Sequence, residues 1–136
     1  MCTLRIFGQD LDVDAFLGAI PLPAAGRHRR GETRFPGAKP GGPLNKDSSI
    51  SVGVSDADFS DLAAQLADAQ AFLRERTEQL RAARSYPGVE GLVFDFPIRA
   101  RDVAVQSDTF PAALLAKLGA LGIDLEISRY PQSASE

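Results

Sequence analysis

The amino-acid sequence predicts an α+β fold in which helices cover one face of a mixed, mainly antiparallel sheet. Two patterns carry this prediction. Apolar residues recur at spacings of three and four between about Asp56 and Arg84, which indicates a helix with one buried stripe. Short stretches of alternating apolar and polar residues occur on both sides of that helix, which is typical of strands with one face in the core.

The first half of the chain predicts a strand, a short helix and a hairpin. Thr3 to Gly8 alternates polar and apolar residues and is expected to form the first strand. Asp12 is the expected N-cap of a short helix that stops at Pro21. Arg27 to Phe35 and Ser49 to Val54 are then expected to form two strands.

The second half predicts two helices and two strands. The long helix comes first and is opened by the capping-box-like pair Ser55 and Asp58. A strand over Gly91–Arg99 follows, and then a helix over Phe110–Leu121 with Asp108 or Thr109 near its cap and Gly122 after its end. The last element is a closing strand from Leu125. Val103 to Gln106 is expected to add a short extended piece, and Pro97 indicates an edge or a strand end.

This order of elements favours a ferredoxin-like sandwich with an added C-terminal helix and strand. A parallel doubly wound sheet is the alternative. Strands of such a sheet are apolar on both faces, and Asp95, Glu126 and Ser128 do not fit that pattern. We expect one domain over residues 1–136, with a flexible glycine- and proline-rich connection over 36–47 and a frayed tail over 131–136.

Composition excludes several classes of protein. No apolar run approaches the roughly 20 residues that a membrane span needs, and residues 1–20 do not read as a signal peptide, so we expect a cytoplasmic protein. The single cysteine, Cys2, provides neither a disulfide nor a cysteine-based metal site, and His28 is the only histidine. No cofactor, metal or catalytic residue is therefore expected. The net charge of -3 makes nucleic acid an unfavourable partner.

Positive charge is concentrated between residues 21 and 47, where six basic residues face two acidic ones. Arg27, Arg29, Arg30 and Arg34 are the first candidate binding residues, because guanidinium groups contact phosphates or acidic protein surfaces. A solvated, charged edge strand explains the same cluster without a ligand. The glycine spacing around it resembles a phosphate-binding loop, but Glu32 stands where the loop needs lysine.

A second candidate site lies on the polar side of the last two strands. Asp95 alternates with apolar neighbours and is expected to share a sheet face with Ser128 and Tyr130. Carboxylates grouped with hydroxyls there could form a polar pocket for a ligand or for acid–base chemistry. Cross-strand hydrogen bonds on a solvated face are the alternative explanation.

Three short motifs resemble an uncharacterised bacterial domain family. They are Gly8-Gln9-Asp10-Leu11-Asp12 at the start of the first helix, Arg30-Gly31-Glu32 after it, and the C-terminal pattern Leu-Gly-Ile-x-Leu-x-Ile-Ser-x-Tyr over residues 121–130. The resemblance implies an uncharacterised α+β domain and assigns no catalytic residue. Small domains of this kind include proteins that neutralise toxins, so the resemblance admits an immunity-type binder.

The sequence favours a non-enzymatic protein-binding module in a bacterial cytoplasm, a monomer or homodimer, whose partner has an acidic surface. The alternative is a small-ligand binder or enzyme that uses the face around Asp95, Ser128 and Tyr130. An enclosed pocket with converging polar groups would favour that alternative, whereas a flat polar face would favour the binding module. A third hypothesis is nucleic-acid binding by the basic cluster.

Overall fold

The computed structural model describes residues 1–35, 37 and 40–131. Its elements are β1 (Thr3–Gly8), α1 (Val13–Ala19), β2 (Ala24–His28), β3 (Ser48–Gly53), α2 (Leu62–Glu75), α3 (Thr77–Arg84), β4 (Gly91–Arg99), α4 (Ala112–Leu121) and β5 (Asp124–Tyr130). Across these described residues, no helix has the length and apolar character needed to span a membrane.

The strands form one sheet in the order β2-β3-β1-β4-β5. The first three neighbouring pairs are antiparallel, and the β4–β5 pair is parallel. The mixed, mainly antiparallel sheet of the predicted α+β fold is therefore confirmed, and the doubly wound alternative is wrong. Helix α4 connects the two strands of the parallel pair; that α4 and β5 are additions to a ferredoxin-like core stays a prediction. The narrower ferredoxin-like assignment stays a prediction.

The helices cover one side of the sheet, and the core lies between the two layers. Alternate residues of the three central strands point into it and are buried: Leu4 and Ile6 of β1, Ile50 and Val52 of β3, and Leu92, Phe94 and Phe96 of β4. These residues belong to the same buried cluster as the apolar positions of all four helices. In the described ranges, no helix packs on the opposite side of the sheet, which we call the open face.

The predicted caps of the first and last helices are confirmed in two places. The Asp12 carboxylate accepts a hydrogen bond from the Ala15 N–H at 3.0 Å and so caps α1. Gly122 follows α4 in the left-handed conformation, with φ of 69°. At the start of α4 the prediction is wrong, because Pro111 occupies the N-cap and neither Asp108 nor Thr109 does.

The predicted long helix is two helices, and it begins later than expected. The cap is Asp61, whose carboxylate accepts from the Ala64 N–H, whereas Ser55 and Asp58 lie in the preceding loop. The helix breaks at Arg76. There the Thr77 hydroxyl donates to the Leu73 carbonyl four residues back, a bond that competes with regular helical geometry.

The remaining differences concern the edges of elements. The second strand is Ala24–His28 and not Arg27–Phe35, because its ladder with β3 ends at His28. Val103 to Gln106 forms no strand; the Gln106 side chain instead bonds the backbone of Arg99 and Arg101 and shapes the loop before α4. Pro97 lies in an inner strand, beyond the last residue of β4 that pairs with β1.

A substitution at Leu73 tests how this core is packed. Its side chain is fully buried, whereas Leu66, which belongs to the same apolar stripe, is only half-buried. We expect Leu73→Ala to lower the free energy of unfolding by about 2–5 kcal/mol, because it leaves a cavity under β4. Leu115→Ala, at a side chain that is 43% exposed, is the control and should change it by less than about 0.5 kcal/mol. Equal urea midpoints for the two variants would contradict this packing.

Candidate functional site

The candidate site is the open face, where side chains of all five strands lie in register. Thr3 of β1 pairs with Asp95 of β4, and Arg5 of β1 pairs with Ser51 of β3. The face consists of Thr3, Arg5 and Phe7 of β1, His28 of β2, Ser49 and Ser51 of β3, Val93, Asp95 and Pro97 of β4, and Glu126, Ser128 and Tyr130 of β5. It holds two concavities, one basic and one aromatic.

Arg5 is held at the centre of the face by stacking. Its guanidinium carbon lies 4.5 Å from the centre of the Phe7 ring. Phe7 in turn lies against Gly91 on the neighbouring strand, where an added Cβ would come within 2.6 Å of the ring. Glycine therefore lets the ring rest against β4, and the ring supports the guanidinium through a cation–π contact. Arg5 remains exposed to solvent.

The basic concavity lies between Arg5 and the connection from β2 to β3. Its volume is about 640 Å³, and its lining residues are Arg5, His28, Arg34, Phe35, Asn45, Lys46, Asp47, Ser49 and Ser51. Three basic side chains, those of Arg5, Arg34 and Lys46, therefore face one carboxylate, that of Asp47. The serine hydroxyls and the Asn45 amide add neutral hydrogen-bonding groups. Guanidinium, ammonium and hydroxyl donors grouped in this way suit carboxylate or phosphate oxygens.

Backbone hydrogen bonds carry Arg34 and Lys46 to this position. The Gly31 N–H donates to the Asn45 carbonyl at 3.0 Å, and the Asn45 N–H donates to the Glu32 carbonyl at 2.9 Å. The Arg34 N–H then donates to the Pro43 carbonyl. The connection thus leaves the sheet as a paired arm. Pro36, Ala38 and Lys39 lie outside the described residues, as do residues 132–136, and the predicted flexibility of 36–47 and of the tail stays a prediction.

The structure divides the four predicted arginines between the two sides of the sheet. Arg27 and Arg29 reach Asp14 of α1, with nitrogen–oxygen distances of 2.5 and 2.7 Å, and Arg30 reaches Asp10 at 3.3 Å. Arg34 alone of the four lines the basic concavity. Strand alternation explains the division, because Arg27 pairs with the buried Ile50 and so points to the helix side.

The second predicted group, Asp95, Ser128 and Tyr130, does come together. The Ser128 hydroxyl donates to Asp95 Oδ1 at 2.7 Å across the parallel β4–β5 pair. Tyr130 and Asp95 both line the aromatic concavity, whose volume is about 380 Å³. The full lining is Met1, Thr3, Phe59, Asp95, Pro97 and Tyr130. Asp95 thus supplies a carboxylate to a largely apolar depression.

Phe59 completes the aromatic concavity from the loop before α2. Its ring meets Tyr130 edge to face, with centroids 5.9 Å apart, and its carbonyl accepts from the Arg99 N–H at 3.1 Å. The buried Gln65 amide fixes the same loop by donating to the carbonyls of Asp58 and Pro97. The apolar spacing between about Asp56 and Arg84 includes Phe59 and therefore predicts it on the buried helical stripe. Phe59 lies instead on the open face, because α2 begins three residues after it.

Sequence reasoning missed Arg5, Lys46 and Phe59 as site residues. A signal for Arg5 was present, since it alternates with the core residues Leu4 and Ile6 and therefore had to face away from the helices. Lys46 and Phe59 had no comparable signal, because their positions depend on how two loops cross the sheet.

No protein-family model matches the chain, and no curated protein matches it. The functional argument therefore depends on the geometry of the open face. Within the described part of the chain, no group of three or more His, Cys, Asp or Glu side chains is arranged to hold a metal ion.

The ion pairs of Asp14 generate a pH-dependent prediction. Hydrogen bonds from Arg29 and then Arg27 hold the pKa of Asp14 below its ordinary value of 3.8. A carboxyl group with a lowered pKa stabilises the fold above its unfolded-state pKa, and this contribution is lost as the pH falls through the folded-state pKa. We expect Asp14→Asn to lower the urea midpoint slightly at neutral pH and to match the wild type in acid. In an Arg27→Gln/Arg29→Gln background, the neutral-pH difference should shrink; an undiminished difference would contradict the ion pairs.

Cys2 generates a second prediction. The thiol is fully buried, and this burial is the main reason that its pKa is raised from 9.0 to about 12. At mildly alkaline pH the thiolate fraction is then on the order of a thousandfold below that of an ordinary thiol. We expect Ellman's reagent to react slowly with the native protein and rapidly once urea has unfolded it. Equal rates in the two states would show that Cys2 is accessible.

Proposed function

We propose that this protein is a non-enzymatic binding module, and that its open face receives a protein partner through acidic groups seated in the basic concavity. The observation that carries the proposal is the set of three exposed cations, Arg5, Arg34 and Lys46, around one depression. In this proposal the protein acts as a monomer or homodimer in a bacterial cytoplasm, and an immunity-type role is one form that the binding could take.

The electrostatics of the two sides of the sheet support this choice of surface. The arginines on the helix side are already paired with Asp14 and Asp10. Among the described residues, Arg5, Arg34 and Lys46 form no ion pair. A partner carboxylate meeting them exchanges contacts with water for charge-assisted hydrogen bonds and breaks no internal ion pair.

The shape of the face supports a macromolecular ligand. Both concavities are open depressions on an exposed sheet, whereas a catalytic site needs convergent groups shielded from water. Aromatic and arginine side chains such as Phe35 and Arg5, the first of which is 57% exposed, are the residue types enriched at the energetic centres of protein interfaces.

A charge-matched pair of variants tests the proposal. The three forms to compare are tagged wild-type protein, Arg5→Gln/Arg34→Gln and Arg27→Gln/Arg29→Gln. Each would be used to capture partners in the native host. The captured protein would then be purified, and its affinity for each of the three forms would be measured by calorimetric titration. Both variants lose two positive charges, but only the first loses them from the open face. We expect the first variant to weaken binding at least roughly tenfold and the second to leave it within about twofold.

Equal weakening in the two variants would attribute binding to net charge and overturn the proposed surface. A ligand that proved to be nucleic acid, with affinity falling steeply as salt is raised, would replace the proposal with the third hypothesis. Circular dichroism and urea midpoints of both variants exclude loss of folding as the cause. Arg5 and Arg34 are exposed, so their replacement should leave both measurements unchanged.

A further inference from the structure

The outer strand β5 is an unprotected edge of the sheet. Its seven residues, Asp124–Tyr130, pair with β4 in an unbroken register and include no proline, glycine or lysine. Among the residues that the structure describes, no strand pairs with the other side of β5. Unpaired N–H and C=O groups along an edge are a template for a further strand, and proteins usually block them with prolines, lysines, bulges or short strands. None of these devices is present in β5.

The opposite edge of the sheet, β2, is protected. This strand has only five residues, Ala24–His28, and its register with β3 shifts between Ala24 and Gly26. A short strand with an irregular register presents few consecutive groups for pairing. Of the two edges, β5 is therefore the one with the length and regularity that strand addition needs.

Exposed apolar side chains are concentrated at the β5 side of the molecule. Within the described helices and strands, the large apolar residues that are exposed are Leu115 of α4 and Ile127 and Tyr130 of β5. Ile127 lies at the middle of β5 and is 43% exposed. It pairs with the buried Phe96 of β4, so it points to the helix side of the sheet. An apolar side chain thus lies uncovered at the centre of the unpaired edge.

Leu115 extends this apolar surface onto α4. Ala113 and Lys117 line a depression together with residues of α2, so they face that helix. Successive helix residues are rotated by about 100°, which puts Leu115 roughly 160° around α4 from both of them. Since α2 packs on β4 and α4 packs on β5, Leu115 points outwards, beyond the β5 edge. The exposed apolar surface therefore includes both the edge strand and the helix above it.

We infer that β5 pairs with the β5 of a second copy of this chain, antiparallel and centred on Ile127, so that one continuous sheet runs through both copies. A twofold axis at Ile127 puts this residue opposite its own copy. The other opposite residues in this register are Leu125 with Arg129, Glu126 with Ser128, and Asp124 with Tyr130.

The side chains of β5 favour a second copy as the occupant of this edge. In the register centred on Ile127 no two like charges are opposite each other, whereas an axis at Glu126 would oppose two carboxylates. The two Ile127 side chains cover each other. The helices of both copies lie on the same side of the continuous sheet, and each Leu115 faces the gap between the two α4 helices. The inference does not depend on the proposed protein partner, because the basic concavity lies on β1, β2 and β3.

Sedimentation equilibrium tests the dimer with a matched pair of variants, Ile127→Lys and Phe35→Lys. Each variant exchanges an exposed apolar side chain for a cation, but Phe35 lies beside the connection from β2 to β3, far from β5 in the strand order. We expect the wild-type mass to rise toward twice the monomer value between about 1 µM and about 1 mM. Ile127→Lys should weaken dimerisation at least roughly tenfold, because it opposes two like charges, and Phe35→Lys should leave it within about twofold.

A wild-type protein that stays monomeric at about 1 mM would overturn the inference. Equal weakening by the two variants, or weakening by Phe35→Lys alone, would place the contact elsewhere and would also overturn it. Circular dichroism of both variants separates loss of the dimer from loss of folding.

Cysteine cross-linking tests the register without weakening the dimer. Ile127→Cys puts two thiols at the axis, where the Cβ atoms of opposite residues are about 5 Å apart, and mild oxidation should link them. Arg129→Cys lies on the same side of the sheet, but its two copies would be about 14 Å apart and should stay unlinked. The native Cys2 is fully buried and does not compete. Linking of Arg129→Cys as fast as Ile127→Cys, or no linking of either, would contradict this register.

Discussion

The pairing of β1 with two antiparallel neighbours is the constraint on which the rest of the molecule depends. Because β1 is the central strand, its alternation assigns Leu4 and Ile6 to the side that the helices cover and Arg5 and Phe7 to the other side. Its register with β3 and β4 then aligns the other residues of both faces. A slip of one residue would bury Arg5 and expose Leu4, so burial of apolar area fixes the register. The composition of the open face is a consequence of how the core is packed.

Charge is distributed according to the same two faces. On the helix side, Arg27 and Arg29 reach Asp14, and such exposed ion pairs contribute little stability but satisfy their charges locally. On the open face, Arg5, Arg34 and Lys46 gather at the β1–β3 side, whereas Asp95 and Glu126 lie opposite each other in the β4–β5 register. Thr3 and Arg5 belong to different concavities, although they are alternate residues of one strand and so lie about 7 Å apart. Two concavities with different linings, one basic and one aromatic, therefore adjoin on the open face.

The elements with strong local signals were predictable. Alternation located β1, β3, β4 and β5 to within a residue or two, and side-chain or glycine caps located Asp12 and Gly122. The grouping of Asp95 with Ser128 followed from the same alternation. The predictions that were wrong concern loops and the break between α2 and α3. Phe59 fits the helical stripe by spacing, yet Asp58 accepts from the Ser60 N–H and Asp61 caps α2, so the chain remains a loop long enough to reach the open face. The break at Arg76 has a similar origin, because the Thr77 hydroxyl bonds the Leu73 carbonyl and competes with regular helical geometry.

The sequence by itself determined the class of fold and the face to which each strand residue points, because apolar periodicity expresses a local rule about which side is buried. It also determined that positive charge is concentrated before β3. Only the tertiary structure decided which of those charges are paired and which remain on the open face. Ion pairing and concavities depend on distances between residues far apart in the chain, such as Arg29 to Asp14 and Phe59 to Tyr130. Those distances depend on where the helices pack and on the paths of the loops, and local sequence patterns predict neither.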